Sequence, residues 1–179
     1  MIEAEYFIDA EFFEMPGTLI PLSLGIVSAL DGRELQIVNA PNVKRFEDVH
    51  KAMAVHNHKD TRWIVEIVLP KLPPREEWLS DKECSDKIRE FVAGTSPQFW
   101  AYYAAYDWVC FCWFCGWRMI DLPRGWPRFC RDVKWAMVER GTDAAQLGVA
   151  PSPNAHNALE DARWAVDVWR KLYPRYSRT

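Results

Sequence analysis

Hydrophobic and polar positions alternate through the N-terminal part of the chain in a way that predicts three strands. Residues 5–13 are mostly aromatic and apolar and run towards the turn residues Pro16-Gly17, which is typical of a buried strand. Residues 19–30 and 33–39 are predicted as the next two strands, with a hairpin turn at Asp31-Gly32 between them. Consecutive strands joined by such short turns pair antiparallel.

Strands and helices alternate in the rest of the chain. Residues 42–69 have a mixed pattern and are predicted to be helical or loop, whereas residues 81–92 form an amphipathic helix with Ile88, Phe91 and Val92 facing inward. A strand over residues 99–103 is followed by a helix over residues 107–117 and a short strand over residues 129–133. A helix over residues 134–140, a loop over residues 144–155 and a last helix from Asn157 onward complete the chain. This order predicts an α/β fold.

The composition is that of one globular domain over residues 1–179, because 49% of the residues are hydrophobic and 26% are charged. Most of the ten tryptophans are expected in the core or in an interface. The net charge of −3 does not favour tight, sequence-blind binding of nucleic acid. Glu3 and Glu5 interrupt any signal peptide, and no uncharged run reaches the ~20 residues of a membrane span.

The five cysteines are predicted to be structural thiols in a reducing cytoplasm. Their odd number argues against a full disulfide framework. Cys112-x-x-Cys115 has the spacing of half a zinc site, but no second Cys/His pair with ligand spacing accompanies it. His56-x-His58 lies in a polar segment and is better explained as exposed than as metal-binding.

Two carboxylates stand near the end of the first predicted strand. Side chains alternate along a strand, so Asp9 and Glu11 point to the same face, about 7 Å apart. Like charges on an apolar strand repel and are costly to desolvate, and a cation between them removes that penalty. Oxygen ligands suit Mg²⁺ or Mn²⁺. The alternative is that the strand ends here and both acids are solvated.

A histidine and a further acid flank the start of the last helix. Asn157 is a good N-cap with Glu160 three residues later, which resembles a capping box. Asp161 lies on the first turn, and His156 lies just before it on backbone expected to be flexible, from which the ring can reach the same place. A histidine with a pKa near ~6.5 accepts a proton from water at neutral pH. A solvated histidine and an acid favoured by the helix dipole are the alternative.

Asp107 follows the fourth predicted strand, at a strand-to-helix junction where α/β proteins place ligand groups. Taken alone, it is explained as an acid at a helix start. The whole set is far more specific than any of its members, and in chain order it is Asp9, Glu11, Asp107, His156 and Asp161. Acids spaced in this way can converge on one end of a sheet, where they can hold two divalent ions for phosphodiester chemistry.

This set resembles the motifs of the DEDDh exonucleases. The Asp-x-Glu, central Asp and His-x4-Asp motifs of that family correspond to Asp9-Ala10-Glu11, to Asp107, and to His156 with Asp161. Four residues between the histidine and the aspartate match the histidine branch of the family rather than the tyrosine branch. The resemblance implies an RNase H-like mixed sheet, in which three antiparallel strands are followed by parallel strands, flanked by helices.

Within this family the chain resembles the RNase AS group, which are polyadenylate-specific 3′-exoribonucleases. The similar stretches include residues 7–12, 68–74, 100–107, 127–129 and 156–163. Phe12-Phe13 replaces the Thr-Gly that commonly follows Asp-x-Glu, so the nucleotide contacts of the wider family cannot be transferred. The resemblance implies a homodimeric 3′-5′ exoribonuclease that releases nucleoside 5′-monophosphates from single-stranded RNA and prefers poly(A).

The resemblance also implies a role for each residue of the set. Asp9 would touch both of two Mg²⁺ ions, for which Mn²⁺ can substitute. Glu11 and Asp161 would complete the first metal site, and Asp107 would hold the second ion. His156 would act as general base on the attacking water. No membrane partner is implied.

Three residues are candidates for contact with the RNA. Phe12 and Tyr106 can stack on the terminal base, although alternation turns Phe12 away from Glu11 unless the strand twists locally. Arg128 lies in a basic stretch and can contact the RNA backbone. The alternative is that this stretch is an ordinary solvated surface. Two alternatives stay open. One is a family member that acts on DNA 3′ ends, short oligoribonucleotides or tRNA ends. The other is a catalytically silent RNA-binding module, against which the complete set of five residues argues.

Overall fold

The computed structural model describes residues 2–54, 61–116 and 118–174. Five strands form a mixed sheet in the order β3-β2-β1-β4-β5. The strands are β1 (Ile2–Met15), β2 (Thr18–Ser28), β3 (Glu34–Val38), β4 (Thr95–Ala101) and β5 (Arg131–Asp132). β1, β2 and β3 pair antiparallel, whereas β4 runs parallel to β1 and β5 parallel to β4. The predicted α/β fold with a mixed sheet flanked by helices is confirmed.

Helices cover both faces of the sheet. Side chains alternate along β1, so it presents apolar side chains to the helices on either face. Ala4, Tyr6 and Ile8 lie on the face that packs against two helices of the central region, whereas Phe7 packs against the C-terminal helix and Phe13 against the first helix. The helices are α1 (Ala40–Ala54), α2 (Asp81–Val92), α3 (Ala104–Phe114), α4 (Val133–Glu139) and α5 (Ala158–Leu172). The central β1 is therefore buried from both sides. It continues past Asp9 and Glu11 to Met15, so these acids lie within the strand and beside helix termini.

The helix predicted over residues 107–117 begins and ends earlier in the chain than expected. It begins at Ala104, whose N–H donates to the Asp132 carboxylate of β5 at 3.0 Å, so a neighbouring strand caps it. It ends at Phe114, and Gly116 follows with φ of 68°, the left-handed conformation that commonly ends helices. Trp117 lies outside the described residues.

Other element boundaries agree with the prediction to within a few residues. The helix over residues 81–92 is confirmed, with Ile88, Phe91 and Val92 buried. The mixed segment 42–69 is mainly α1, followed by a π-helical turn at Ile64–Val68 and a 3₁₀ turn at Leu69–Lys71. The His56-x-His58 motif lies outside the described residues.

Two further sequence expectations concern thiols and membranes. The cysteines are free thiols, and all but Cys130 are buried. Within the part of the chain that the structure describes, no helix has the length and apolarity that a membrane crossing requires.

Candidate active site

A cleft of about 240 Å³ opens where β1 passes the N-terminal turns of α3 and α5. It is lined by Asp9, Ala10, Glu11, Phe12, Tyr102, Tyr103, Tyr106, Asp107, His156 and Asp161. Seven of the eight residues that the sequence picked out thus surround one cleft. The eighth, Arg128, lies elsewhere: its guanidinium donates to the backbone carbonyls of Leu122 at 2.9 Å and Trp126 at 3.3 Å. Its predicted contact with RNA therefore has no support from the cleft.

A backbone hydrogen bond holds Asp107 against β1. The pairing of β1 with β4 ends at Phe7 and Trp100, which leaves the N–H of Ala10 free to bond to α3. That N–H donates to Oδ1 of Asp107 at 2.9 Å. Burial raises the pKa of Asp107 to about 7, even though the bond from Ala10 works in the opposite direction. Asp107 is thus fixed beside the residue that lies between Asp9 and Glu11.

Close packing of α5 on β2 brings in Asp161. Gly25 is the partner of Asp9 in the β1–β2 ladder, and the first turn of α5 lies directly on it. The side chain of Asn157 caps that turn by accepting a hydrogen bond from the Glu160 N–H at 3.2 Å. Asp161 follows on the same turn and faces the cleft. A small residue on β2 and a cap on α5 therefore place this acid.

The backbone at His156 is anchored, contrary to the expected flexibility. It has a φ of 67°, and its N–H donates to Oδ2 of Asp161 at 2.7 Å. The ring packs edge-on against Trp63, with centroids 4.9 Å apart. One ring nitrogen of His156, one oxygen of Glu11 and one oxygen of Asp161 lie within 4.8 Å of one another. The imidazole therefore lies within reach of the acids.

The acids are difficult to ionise together. Burial raises the pKa of Glu11 to about 8, and repulsion by Asp161 and Asp107 adds to this effect. Burial also raises the pKa of Asp9 well above its ordinary value, with further contributions from the same neighbours, and it raises the pKa of Asp161. A divalent cation among them would relieve both the desolvation and the repulsion, and carboxylate oxygens are the ligands of Mg²⁺ and Mn²⁺. The residues present fit such ions.

Two aromatic side chains form one rim of the cleft. Phe12 lies on the α3 face of β1, as alternation predicts, yet it borders the cleft because its ring packs edge-on against Tyr106 at 5.4 Å. The Tyr106 hydroxyl donates to Glu14 at 2.9 Å. The ladder shifts register between Glu11 and Phe12, where Leu22 has no partner on β1. These rings give the acidic cleft an apolar border.

Three residues at this site have no signature in the sequence. Gly25 sits inside a strand, Trp63 is one of many tryptophans, and Lys71 belongs to a proline-rich turn. Lys71 lowers the pKa values of Glu11 and Asp161 against the effect of burial, so its ammonium group acts on the acid cluster. For Lys71 the only signal in the sequence is the similarity of residues 68–74 to the RNase AS group, and that similarity assigns no role to the lysine.

Solved structures share the fold. Exonuclease I of E. coli in complex with a dT13 oligonucleotide matches with a TM-score of 0.60 over 97% of this chain, at 12% identity. Exonuclease I from Methylocaldum szegediense matches with a TM-score of 0.54 over 97% of this chain, at 18% identity. The chain spans 42% of the length of either protein. The chain therefore shares its fold with these exonucleases.

Sequence relatives then identify the family. The family model of the 3′-5′ exoribonuclease Rv2179c-like domain matches residues 4–173. The 3′-5′ exoribonuclease Rv2179c of Mycobacterium tuberculosis H37Rv is 35% identical over 164 residues, which cover 88% of this chain and 86% of that protein. The corresponding protein of strain CDC 1551 gives the same values. The chain belongs to the Rv2179c-like family of 3′-5′ exoribonucleases, and the prediction of this enzyme class is confirmed.

Proposed function

We propose that this protein is a single-domain 3′-5′ exoribonuclease that depends on divalent metal, releases nucleoside 5′-monophosphates from single-stranded RNA and prefers poly(A). The observation that carries the proposal is the convergence of four acids and one histidine on one cleft. The raised pKa values of Glu11 and Asp107 mean that positive charge beside this cluster would stabilise its carboxylate form. A silent RNA-binding module has no need of such an arrangement.

Each residue has a chemical task in this proposal. Two Mg²⁺ ions, bound by Asp9, Glu11, Asp107 and Asp161, would lower the pKa of the attacking water and stabilise the leaving 3′ oxygen. His156 accepts the proton of that water. The hydrogen bond that its backbone N–H donates to Asp161 fixes the backbone from which the imidazole extends. Mn²⁺ is expected to substitute for Mg²⁺ because both prefer oxygen ligands.

The rim formed by Phe12 and Tyr106 is the proposed platform for the terminal base. A base stacked there would lie next to the acids, because both aromatic residues line the same cleft as Asp9. Stacking on aromatic rings accepts any base, so the proposed preference for poly(A) rests on the similarity to the RNase AS group. Arg128 would meet the RNA only beyond the cleft.

We further propose that the enzyme is a homodimer in a reducing cytoplasm. The outer face of α3 exposes Val109 and Trp113, and the turn after it exposes Ile120, which is 73% accessible. Exposed apolar side chains of this size are typical of an interface. The free, buried thiols support a reducing compartment.

A substrate panel tests the proposed function. Labelled poly(A), poly(U), mixed-sequence RNA and single-stranded DNA are incubated with Mg²⁺, with Mn²⁺ and with EDTA, and the products are separated by length. We expect stepwise shortening of RNA from the 3′ end, fastest on poly(A) and abolished by EDTA and by Asp9→Asn. The matched control is Asp86→Asn, at an exposed aspartate of α2. Activity that survives EDTA or Asp9→Asn, or that is faster on DNA, contradicts the proposal.

A further inference from the structure

Lys71, a lysine outside the predicted set of site residues, contacts both residues that flank His156. Nζ of Lys71 donates to the backbone carbonyl of Ala155. The backbone carbonyl of the same lysine accepts a hydrogen bond from Nδ2 of Asn157 at 3.0 Å. The residues before and after His156 are thus tied to one residue, 84 and 86 positions away in the sequence respectively.

The turn that carries Lys71 is well suited to this task. Lys71 ends the 3₁₀ turn Leu69–Lys71, and Leu72 after it is extended. Prolines at positions 70, 73 and 74 restrict the backbone on both sides. Lys71 is itself partly buried, so its ammonium group has fewer positions open to it than that of a fully exposed lysine. A rigid turn can therefore transmit its position to the histidine segment.

His156 needs such a restraint. Its positive φ is uncommon for a residue with a side chain and persists only where the surroundings impose it. The backbone bond to Asp161 holds one point, and the edge-on contact with Trp63 limits the ring from one side. The two bonds to Lys71 fix the flanking residues, so the segment is held on both sides.

From this geometry we propose that Lys71 is a positioning residue, which clamps Ala155 and Asn157 and so holds the His156 imidazole where it can take the proton of the attacking water. The inference rests on the proposed function only in the role that it gives to His156. The influence of Lys71 on the pKa values of Glu11 and Asp161 agrees with an ammonium group close to the cleft. Misplacing a general base by about 1 Å is enough to lower a rate roughly 100-fold.

The kinetic test compares Lys71→Met, which keeps the length of the side chain but removes its donor, with Lys71→Arg, which keeps a donor. We expect Lys71→Met to lower kcat roughly 10- to 100-fold with KM for oligo(A) unchanged, and Lys71→Arg to recover most of the loss. Lys82→Met, at an exposed lysine of α2, is the control and should leave both constants unchanged. An increase in KM with kcat unchanged would mean that Lys71 contacts the RNA instead, and would overturn the proposal.

A double mutant shows whether Lys71 acts through His156. If it does, Lys71→Met lowers kcat no further in a His156→Ala enzyme. A full multiplicative loss in the double mutant would contradict the clamp.

Hydrogen exchange separates failure of the clamp from failure of the proposed function. Lys71→Met should speed exchange of the backbone amides in residues 151–160, whereas Lys82→Met should not. If His156→Ala proves fully active, the general-base role is wrong, yet faster exchange would still support the clamp. Unchanged exchange in Lys71→Met would overturn it, whatever the activity of the His156 variant.

Discussion

Gly25 lies so close to Ala158 that a methyl group on Gly25 would be 2.3 Å from the Ala158 carbonyl oxygen. This contact joins the middle of β2 to the first turn of α5. Because Gly25 pairs with Asp9 across the β1–β2 ladder, the same contact sets how closely Asp161 approaches the acids of β1. The cleft in this form therefore requires glycine at position 25.

Gly25→Ala should disturb both stability and activity. The added methyl group must push α5 away from β2, since the atoms it would meet are backbone. We expect a loss of about 1–3 kcal/mol in the free energy of unfolding. We also expect kcat to fall roughly 100-fold because Asp161 moves. Urea titration and steady-state kinetics on oligo(A) measure the two effects.

The control for that variant is Gly17→Ala. Gly17 has a φ of 77° and open space around it, so the substitution strains the turn at a cost of about 1–2 kcal/mol without touching the cleft. It should lose stability while kcat of the folded enzyme stays the same. Equal kcat for both variants would show that the contact between Gly25 and Ala158 does not position the site.

The metal-free protein should lose stability as the pH rises from about 5 to 8. Glu11 has a pKa of about 8 in the folded protein, against about 4.3 in an unfolded chain, so the folded state binds its proton more tightly. The resulting stabilisation is present below the unfolded value and is lost as the pH rises towards the folded value. Asp107, with a folded pKa of about 7, acts in the same direction. Thermal melting in EDTA over this range measures the effect.

Glu11→Gln should flatten this pH dependence, because the amide does not ionise. Added Mg²⁺ should raise the melting temperature of the original protein more at pH 8 than at pH 6, and should do little for the variant. Glu76→Gln, on an exposed turn, should behave like the unchanged chain. A melting temperature that climbs with pH in EDTA would show that the acids are not held in a buried, repulsive cluster.

Phe12→Ala should weaken binding of the RNA rather than binding of the metal. Stacking of a base on an aromatic ring contributes about 1–3 kcal/mol, which corresponds to a rise in KM for oligo(A) of roughly 5- to 150-fold. Metal affinity, followed by calorimetry with Mn²⁺, should be unchanged. Tyr106→Phe keeps the ring and loses only the bond to Glu14, so it is the matched control. Unchanged poly(A) kinetics in Phe12→Ala would remove the base platform.

His156→Ala should lower kcat by about 10²–10⁴-fold with little change in KM, because general-base catalysis contributes in this range. The acidic limb of the pH–rate profile, which reports the base, should disappear in the variant. His50→Ala is a suitable control, since His50 packs on Phe46 and hydrogen-bonds Thr61 away from the cleft. A variant at His156 that retains the limb would assign the base to another group.

The parts of this site that follow local rules could be predicted from the sequence. Alternation along β1 puts Asp9 and Glu11 on one face, and the cap at Asn157 starts the helix that carries Asp161. Placing Asp107 required more, because its position depends on an N–H of Ala10 that is free only where β4 stops short. No local pattern records where a neighbouring strand ends.

The supporting residues were missed for a related reason. The role of Gly25 depends on a helix that begins 133 residues later, and the role of Lys71 on a carbonyl 84 residues away. Such contacts arise from packing between distant segments and leave no period or motif. The backbone at His156 was expected to be flexible because only one of its restraints, the bond to Asp161, is local; the contacts with Lys71 and Trp63 come from distant segments. Arg128, in contrast, was chosen for its charge alone, and the structure uses its guanidinium to hold a loop.

The most direct test is an anomalous-scattering map of crystals grown with Mn²⁺ and adenosine 5′-monophosphate. The proposed function predicts two manganese peaks in the cleft, each within bonding distance of oxygens from the set Asp9, Glu11, Asp107 and Asp161. Well-ordered crystals in which this cleft holds the nucleotide but no manganese, or in which these four side chains lie apart, would contradict it.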